Sequence, residues 1–449
     1  MKRIVLICLS VVLTCRIAAA QDSVKRWTLR ECLDYALENN IQLKQSRNDY
    51  LSGVEDTKEA KAALLPSVSA TSSQGFTNYP SSTASYSDSH SGTYGYSSRN
   101  SYSGTYGINA GMTLYGGGKL RTTLKLQNVQ NRIDALSVAE SENDIRVAIV
   151  QAYMQALYAA ETVEIAVSTA QTSRAQRDRA KEMWQAGSIS KVDFAQLESQ
   201  YMSDEYQVVV ARTTLDNYKL QLKQLLELDI ADEMELSVPA VGESEVVRTL
   251  PAKTEVYAAA LDTMPEIRRG KLAVEAAELA VRQARAGFYP SVALSASVGT
   301  GHMSGNNFER GSQIWNRFNE NVGLTLNVPI FSNRQNRTAT NKARIAASNS
   351  RLEQLDLQKA LLKKVESAYL DAVSAQSQYV AAAEKQKYAL QSYELTGEQF
   401  RIGMKNTVEL ITAQTEYSAA RQEVLQAKYM ALLNIELLNI YQGRDIQTI

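Results

Sequence analysis

The sequence LLPSVSA, residues 64–70, is repeated later in the chain as FYPSVAL, residues 288–294. The spacing that separates Pro66 from Pro290 also aligns Ala36-Leu37-Glu38 with Ala260-Leu261-Asp262. Similarity at a fixed spacing is typical of a duplicated structural unit. The sequence therefore indicates two copies of one unit, each with a proline that ends its first helix.

A second pair of matching segments lies near the end of each copy. WQAGSISKVDF, residues 184–194, matches FRIGMKNTVEL, residues 400–410, at a slightly shorter spacing. The difference between the two spacings places eight extra residues in the first copy, between Pro66 and Leu114. The sequence predicts a first repeat over residues 21–230, a linker over 231–251 and a second repeat over 252–449.

Proline positions and composition predict long helices in both copies. No proline lies between residues 81 and 238 or after residue 329, and proline is excluded from helix interiors because it lacks the N–H group and clashes with the preceding turn. At 1.5 Å per residue, each of the two longest helices would extend roughly 100 Å. Helices are predicted over residues 29–65, 118–185 and 191–230 in the first repeat, and over 253–289, 334–401 and 407–443 in the second.

Alternating apolar and polar residues predict a β-hairpin in each copy, over residues 67–115 and 291–331. From Tyr106 to Leu114 every second residue is apolar, and the residues between are Gly, Asn or Thr. Period-two alternation is typical of a strand with two different faces. The two histidines, His90 and His302, fall in the predicted hairpin loops and are interpreted as solvated loop residues.

Four strands per chain cannot close a membrane barrel, since the smallest such barrels have about eight strands. Unpaired strand edges tend to pair with other chains, and three copies would supply about twelve strands for one barrel wall, with the apolar face toward lipid. The alternative is an elongated structural periplasmic coiled coil with small β tips and no channel. That alternative leaves the twice-repeated alternating hairpins unexplained.

Residues 1–20 are typical of a secretory signal peptide. The basic start MKR precedes an apolar run over residues 4–14, and AAA at 18–20 is an A-x-A cleavage sequence. Cleavage after Ala20 is the preferred interpretation, and lipidation of Cys15 is the alternative. After cleavage only Cys32 would remain, so neither a disulfide framework nor a thiolate metal cluster is expected.

Composition and motifs give no indication of an enzyme. The chain has 48 basic and 48 acidic side chains, so its charge gives no reason to expect nucleic acid as a partner. Gly116-Gly117-Gly118 stands between a predicted strand and a predicted helix but lacks the spacing of a phosphate-binding loop, and it is interpreted as a flexible corner. We expect no catalytic residues, no cofactor and no metal site.

The chain resembles the TolC-type outer-membrane efflux proteins, also called outer membrane factors, over essentially its whole mature length. The resemblance rests on the opening TLRECLDYALENN, on the two PSV junctions, on the turns GSISKVD and GMKNTVE, and on the duplication itself. It implies an α+β membrane protein with a duplicated α-β-β-α repeat. Three copies would form a trimeric 12-stranded β-barrel in the outer membrane, continuous with a long periplasmic α-helical barrel.

The resemblance also implies a function and partners. Similar proteins conduct substrates passively to the cell exterior, as exit ducts of tripartite efflux or type I secretion systems. The expected partners are two further copies of the chain, outer-membrane lipid, a periplasmic adaptor (membrane fusion) protein, and an inner-membrane pump of the resistance-nodulation-division or ABC type. The transported substrate is left open, because selection in such systems lies mainly in the pump.

The two helix-to-helix turns are the candidate functional positions. Gly187 and Gly403 are predicted to end helices in the left-handed conformation, and Ser190 and Asn406 are predicted to cap the helices that follow. These features alone are also consistent with two well-made turns of no further role. The resemblance implies that the turns form the periplasmic tip that meets the adaptor and closes the tunnel.

Further roles near the turns are implied by position in the resemblance. Asp193 and Lys405 match the acidic and basic members of a gate latch, and Phe400 stands where a relative has a latching tyrosine, without that hydroxyl. Glu409 matches the first of two acidic positions of a constriction ring, and Thr412 occupies the second. A trimer would therefore carry three carboxylates, which favour cations and raise one another's pKa.

Overall fold

The computed structural model describes residues 26–78, 100–229, 232–239, 241–304 and 309–444. The signal peptide with Cys15 and Ala20, and the first hairpin loop with His90, lie outside these residues. The helices are α1 (Leu29–Asn39), α2 (Ile41–Ala62), α3 (Lys119–Gln185), α4 (Lys191–Leu226), α5 (Glu243–Val246), α6 (Lys253–Thr263), α7 (Pro265–Arg285), α8 (Arg310–Asn316), α9 (Gln335–Arg401) and α10 (Thr407–Tyr441). The strands are β1 (Arg26–Trp27), β2 (Ser67–Asn78), β3 (Asn100–Gly116), β4 (Glu235–Leu236), β5 (Ser291–Met303) and β6 (Asn319–Asn327).

The two longest helices, α3 and α9, each contain 67 residues. Their bounds lie within one residue of the predicted ranges 118–185 and 334–401. The agreement has a simple cause: both segments lack proline and consist mainly of residues with high helix propensity. The shorter partners α4 and α10 end several residues and two residues, respectively, before their predicted ends.

The first helix of each repeat is divided in two, where the sequence predicts one helix over 29–65 and one over 253–289. In the first repeat the break is at Asn40, whose side chain accepts a hydrogen bond from the Leu43 N–H at 3.2 Å and donates to the Leu225 carbonyl at 3.1 Å. In the second repeat the break is at Met264, directly before Pro265. Proline disfavours helical geometry in the residue before it, whereas asparagine competes for backbone groups with its own amide. The two repeats therefore break at equivalent positions by different chemistry.

Strands β2, β3, β5 and β6 form one antiparallel sheet in that order. The register pairs Ala70 with Ile108 and Ile108 with Val298, so these apolar residues share one face. Exposed apolar residues on this face are Val68, Phe76, Ile108, Leu294, Val298, Val322, Leu324 and Leu326. The opposite face is formed mainly by Ser, Thr, Asn and Gly, as in the pairs Ser69 with Asn109 and Ser297 with Asn321.

The second hairpin is shorter than the predicted range 291–331 and contains an unpredicted helix. Strand β6 ends at Asn327, two residues before Pro329, which has no N–H group to donate to a neighbouring strand. Beyond the last pair of β6, Asn319 with Gly299, helix α8 lies against β5. There the Gln313 side chain accepts a hydrogen bond from the Met303 N–H at 2.9 Å.

The interpretation of His302 as a solvated loop residue is wrong. His302 lies within β5, is 6% exposed, and has its ring 5.5 Å from that of Tyr102 and 5.9 Å from that of Tyr106. Its partner across the strands is Gly104, which lacks a side chain and leaves space for the imidazole. The sequence pattern missed this because the strand continues into the segment assigned to the loop.

The described chain forms two compact units, and each contains segments of both repeats. One unit comprises the chain up to Arg47, Leu136–Arg268 and the chain from Asp356 onwards, and the other comprises Asn48–Ala135 and Arg269–Leu355. The sheet lies in the second of these units. Among the described residues, no helix has the length and apolar character needed to cross a lipid bilayer.

The core of the first unit includes part of the predicted linker 231–251. Strand β4 pairs in parallel with β1, and the buried Tyr153 hydroxyl lies 3.1 Å from the Trp27 carbonyl and 2.8 Å from the Ser237 carbonyl. Burial raises the pKa of Tyr153, so its hydroxyl stays a donor. The Gln376 amide likewise donates to the Val246 and Arg248 carbonyls, both at 2.9 Å. The segment is therefore held to the helices by buried and partly buried hydrogen bonds.

We expect Gly104→Ala to destabilise the sheet because the added Cβ would collide with the His302 imidazole and lie 2.7 Å from the Gln74 Oε1 atom. Overpacking of this kind costs about 1–3 kcal/mol. Thermal unfolding of the purified protein measures the loss. The double variant Gly104→Ala, His302→Ser should recover most of it, and equal stability of wild type and Gly104→Ala would contradict the packing described for His302.

Candidate functional site

In the turn between α3 and α4, a glycine in the left-handed conformation ends one helix and an N-cap serine begins the next. Gly187 has a φ of 73°, and its N–H donates to the Trp184 carbonyl at 2.9 Å. Helix ends of this left-handed type favour glycine because a Cβ is strained at positive φ. Ser190 then accepts a hydrogen bond on Oγ from the Asp193 N–H at 3.1 Å, which satisfies one of the free N–H groups that begin α4.

The turn between α9 and α10 has the same left-handed glycine and an N-cap, but the capping side chain differs. Gly403 has a φ of 78°. The Asn406 Oδ1 atom accepts from the Glu409 N–H at 2.9 Å, and the Glu409 carboxylate accepts from the Asn406 N–H at 3.1 Å. This reciprocal pair is a capping box. The predicted turn geometry is thus present at Gly187, Ser190, Gly403 and Asn406; contact of these residues with an adaptor is a separate proposal.

Asp193 connects the two turns. One carboxylate oxygen accepts a hydrogen bond from the Ser190 hydroxyl at 2.7 Å, within its own turn, and the other accepts from the Thr407 hydroxyl at 3.1 Å. The hydrogen bond from Ser190, supported by that from Thr407, lowers the pKa of Asp193. The carboxylate is therefore ionised at neutral pH, and a charged acceptor makes these the stronger kind of hydrogen bond. Asp193 thus joins α4 to α10 through Thr407, a partner that the sequence did not identify, and its role in a latch stays a proposal.

Lys405 forms an ion pair with Glu409, four residues along the chain. The hydrogen bond from Lys405, together with that from the Asn406 N–H, lowers the pKa of Glu409. The sequence assigned Lys405 to the latch and Glu409 to the constriction ring. Within one chain the structure joins these two residues to each other, and the contact of Asp193 with the other turn is made by Thr407.

Phe400 and Thr412, the remaining predicted site residues, have other surroundings. Phe400 lines a groove of about 480 Å³ together with Gln176, Tyr393 and Leu410. The Thr412 hydroxyl donates to the Val408 carbonyl at 2.9 Å, one turn back in its own helix.

Thr407 was not among the residues predicted from the sequence. The residue occupies the first position of α10 and is only 2% exposed. The match between the two turn segments aligns it with Lys191, so the repeat gives no hint of its role. Its function as a hydrogen-bond donor depends on how α4 packs against α10, and neither periodicity nor capping preference reveals that packing.

The two turns, with their matching glycines and caps, recur where the sequence repeat places them. The family model described as outer membrane efflux protein matches residues 32–227 and 256–440, one segment in each repeat. The chain belongs to the outer membrane efflux protein family. The resemblance to TolC-type proteins inferred from the sequence is confirmed by this match.

Three relatives illustrate the range of similarity. The alkaline protease secretion protein AprF of Pseudomonas aeruginosa is 26% identical over 67% of this chain, and the match spans 61% of AprF, less than two thirds of its length. The outer membrane protein TolC of Escherichia coli is 21% identical over 90% of this chain and 80% of its own. The solved structure of CusC has a TM-score of 0.78 at 18% identity, covering 93% of this chain and 92% of that one.

Family membership bears on two expectations, the location of the protein and its class of function. The protein is an outer-membrane protein, as the sequence predicted. The family is one of outer-membrane efflux channels and not of enzymes, and this supports the predicted role as an exit duct. The structural likeness shows the TolC-like chain fold.

We expect Asn406→Ala to loosen the first turn of α10, because the Glu409 N–H loses its acceptor. Loss of an N-cap costs about 1 kcal/mol, which corresponds to roughly fivefold faster local opening. Hydrogen exchange of the amides at residues 407–410 measures this rate. Thr415→Ala serves as control, since the Thr415 hydroxyl donates only to the Ile411 carbonyl in the same helix. Unchanged exchange in Asn406→Ala would argue against the capping box.

Proposed function

We propose that three copies of the chain form an exit duct that conducts substrates passively across the outer membrane. The four-stranded sheet carries this proposal. Its outer strands, β2 and β6, each have one edge without a partner in the chain's described sheet, and one of its faces is apolar and exposed. Pairing β6 of each copy with β2 of the next would remove every edge and close a barrel of about twelve strands.

The alternation of side chains fits this arrangement. In a membrane the exposed apolar face, with Val322, Leu324 and Leu326, would face the acyl chains. The face rich in Ser, Thr, Asn and Gly would line a water-filled interior, as in other membrane barrels. Tyr102 and Tyr106 share the apolar face and would lie in the aromatic girdle at the lipid boundary.

The helical turns are the proposed contact with a periplasmic adaptor. Beside the capped starts of α4 and α10, the side chains of Val192, Ile402 and Met404 are exposed, Met404 to 72%. Exposed apolar side chains around a rigid turn suit a protein partner. The adaptor would join the duct to an inner-membrane pump of the resistance-nodulation-division or ABC type, which would supply the energy.

A secreted protein is a second candidate cargo, beside small molecules. The name of AprF describes it as an alkaline protease secretion protein, and this relative favours the cargo of a type I secretion system. The names of other relatives refer to efflux, such as the outer membrane efflux protein BepC of Brucella suis. The same duct serves either cargo, because the pump makes the selection.

Conductance in planar lipid bilayers tests the duct. Purified protein should produce stepwise single-channel currents, and electron microscopy of the same sample should show particles with threefold symmetry. Heat-denatured protein from the same preparation is the control. Single-copy particles without currents would overturn the proposal in favour of a periplasmic coiled coil without a channel.

The hydrogen bond between Thr407 and Asp193 is proposed to hold the periplasmic end closed. We expect Asp193→Ala and Thr407→Val each to raise the open probability about ten- to hundredfold, the effect of losing one hydrogen bond to a charged group, about 1.5–3 kcal/mol. The double variant should open no more than either single variant, because both remove the same contact. Lys405→Ala should also raise opening, by freeing Glu409 from its pairing. Thr415→Val is the matched control, and wild-type currents in all the test variants would refute the latch.

Glu409 is proposed to give the duct a preference for cations. In Glu409→Gln the capping box is kept, since glutamine also accepts a hydrogen bond at this position, but the three carboxylates of the trimer are lost. Lys405 is then unpaired, so we expect the cation preference to disappear. Reversal potentials across a KCl gradient measure it, with the exposed Glu416→Gln in the same helix as control. A reversal potential equal to that of wild type would exclude Glu409 from the ring.

A further inference from the structure

A second polar contact joins α10 to the first helical hairpin, deeper than the turns. Asp204 on α4 accepts hydrogen bonds from the Ser173 hydroxyl on α3 and from the Gln414 amide on α10, the latter at 3.4 Å. The Gln414 amide also donates to the Ser173 hydroxyl at 2.7 Å, and Gln200 donates to the other Asp204 oxygen at 3.0 Å. Three helices thus meet at one carboxylate.

These side chains are buried among small and apolar residues. Ser173 is 2% exposed, Asp204 8% and Gln414 3%. The neighbouring cluster of Ala166, Ala170, Val208 and Ala211 continues the contact between α3 and α4 without polar groups. No cation pairs with Asp204 among the described residues, and burial raises the pKa of its carboxyl. Burial of an unpaired charge is costly, so stability alone does not explain an acidic residue at this position.

The spacing relates this cluster to the contact at the turns. Asp193 precedes Asp204 by about three helical turns on α4, and Thr407 precedes Gln414 by about two turns on α10, at roughly 3.6 residues per turn. Because both spacings are close to whole numbers of turns, each pair lies along one face of its helix. The seam between α4 and α10 therefore contains two polar contacts, one at the turn and one buried.

A buried polar group in a helical seam is best known for fixing which residues face one another. Small apolar side chains pack in more than one register at similar energy, whereas a hydrogen-bonded group leaves unsatisfied partners in every register but one. The Gln414 Oε1 atom has no hydrogen-bond partner here, so the amide is held through its donor side alone. Sliding or rotation of α10 would break its bonds to both Ser173 and Asp204.

We propose that the cluster of Ser173, Asp204 and Gln414 positions α10 against α3 and α4 in a single register, and so sets how readily the periplasmic end opens. The part of this inference that concerns opening rests on the proposed duct. The part that concerns register does not. Asp204 is a positioning residue, which acts through the placement of α10 and not by contact with substrate.

The test compares removal of the polar groups with a conservative replacement. In the triple variant Ser173→Ala, Asp204→Leu, Gln414→Leu the seam becomes apolar, and of the cluster's partners only the half-buried Gln200 amide loses its acceptor. In Asp204→Asn the amide oxygen can keep the hydrogen bonds from Ser173 and Gln414 in nearly the same shape, and only the hydrogen bond from Gln200 is lost. We expect the triple variant to unfold at or above the wild-type temperature, since replacing a buried polar group by apolar packing is often neutral or stabilising. Its open probability should nevertheless rise about tenfold, and Asp204→Asn should stay within about twofold of wild type.

Register is measured without relying on conductance. Spin labels at Val192→Cys and Val408→Cys report the distance between the starts of α4 and α10 by double electron–electron resonance. Labelled chains are diluted among unlabelled ones, so that only distances within one chain are measured. Both sites are exposed and Cys32 is buried, so the labels attach selectively. We expect one narrow distance in wild type and in Asp204→Asn, and a broad or double distribution in the triple variant. Gln422→Leu, an exposed glutamine on the same helix, is the matched control and should leave the distance narrow.

The outcomes separate the two proposals. A narrow, wild-type distance in the triple variant would overturn the inference, as would wild-type opening in a triple variant that folds. If the triple variant does not fold, the single variant Gln414→Leu is tested by the same two measurements. It is expected to fold, because Asp204 keeps its hydrogen bonds from Ser173 and Gln200. A wild-type chain without currents would refute the duct and leave the register measurement valid.

Discussion

The sheet imposes the constraint on which the rest of the structure depends. It buries neither of its faces within its own unit: Val322 is 78% exposed on one side, and the Ser and Asn residues are exposed on the other. In hydrocarbon every backbone N–H and C=O group needs a partner, and in water an apolar face of this size would drive association. One chain satisfies neither condition. The proposed three-chain barrel satisfies both, by pairing the edges and placing the apolar face in lipid.

Duplication accounts for much of the chain, but the two copies break and cap their helices with different side chains. Both first helices break at equivalent positions, through the Asn40 side chain in one copy and Pro265 in the other. Both tight turns carry a glycine at positive φ, yet one is capped by Ser190 and the other by Asn406 with Glu409. Backbone geometry is therefore kept between the copies while side-chain chemistry diverges. This divergence is what allows Asp193 and Glu409 to take different partners.

The sequence predicts what depends on local rules and fails where tertiary contacts decide. The two longest helices, the four sheet strands and the capped turns follow from proline positions, alternation and capping preferences, and the structure has them, with a second hairpin shorter than predicted. The break at Asn40 was not predicted, because it depends on the Leu225 carbonyl on another helix. His302 was misassigned since its burial depends on Gly104 across the sheet, and the Lys405 pairing was missed because a resemblance by position carries no geometry. Thr407 and Gln414 gave no local signal.

Glu409 shows how a local interaction and a proposed symmetric one oppose each other. Within one chain, Lys405 and the capped backbone lower the pKa of this carboxyl. Three such carboxylates around an axis would raise one another's pKa by repulsion. Because each would have its own lysine one helical turn away, the ring would consist of three ion pairs, in which each lysine offsets only part of the negative charge that favours cations. Repulsion between such pairs falls off faster with distance than repulsion between single charges. The residues can therefore approach closely in a closed duct while staying ionised, and opening would separate them at little electrostatic gain.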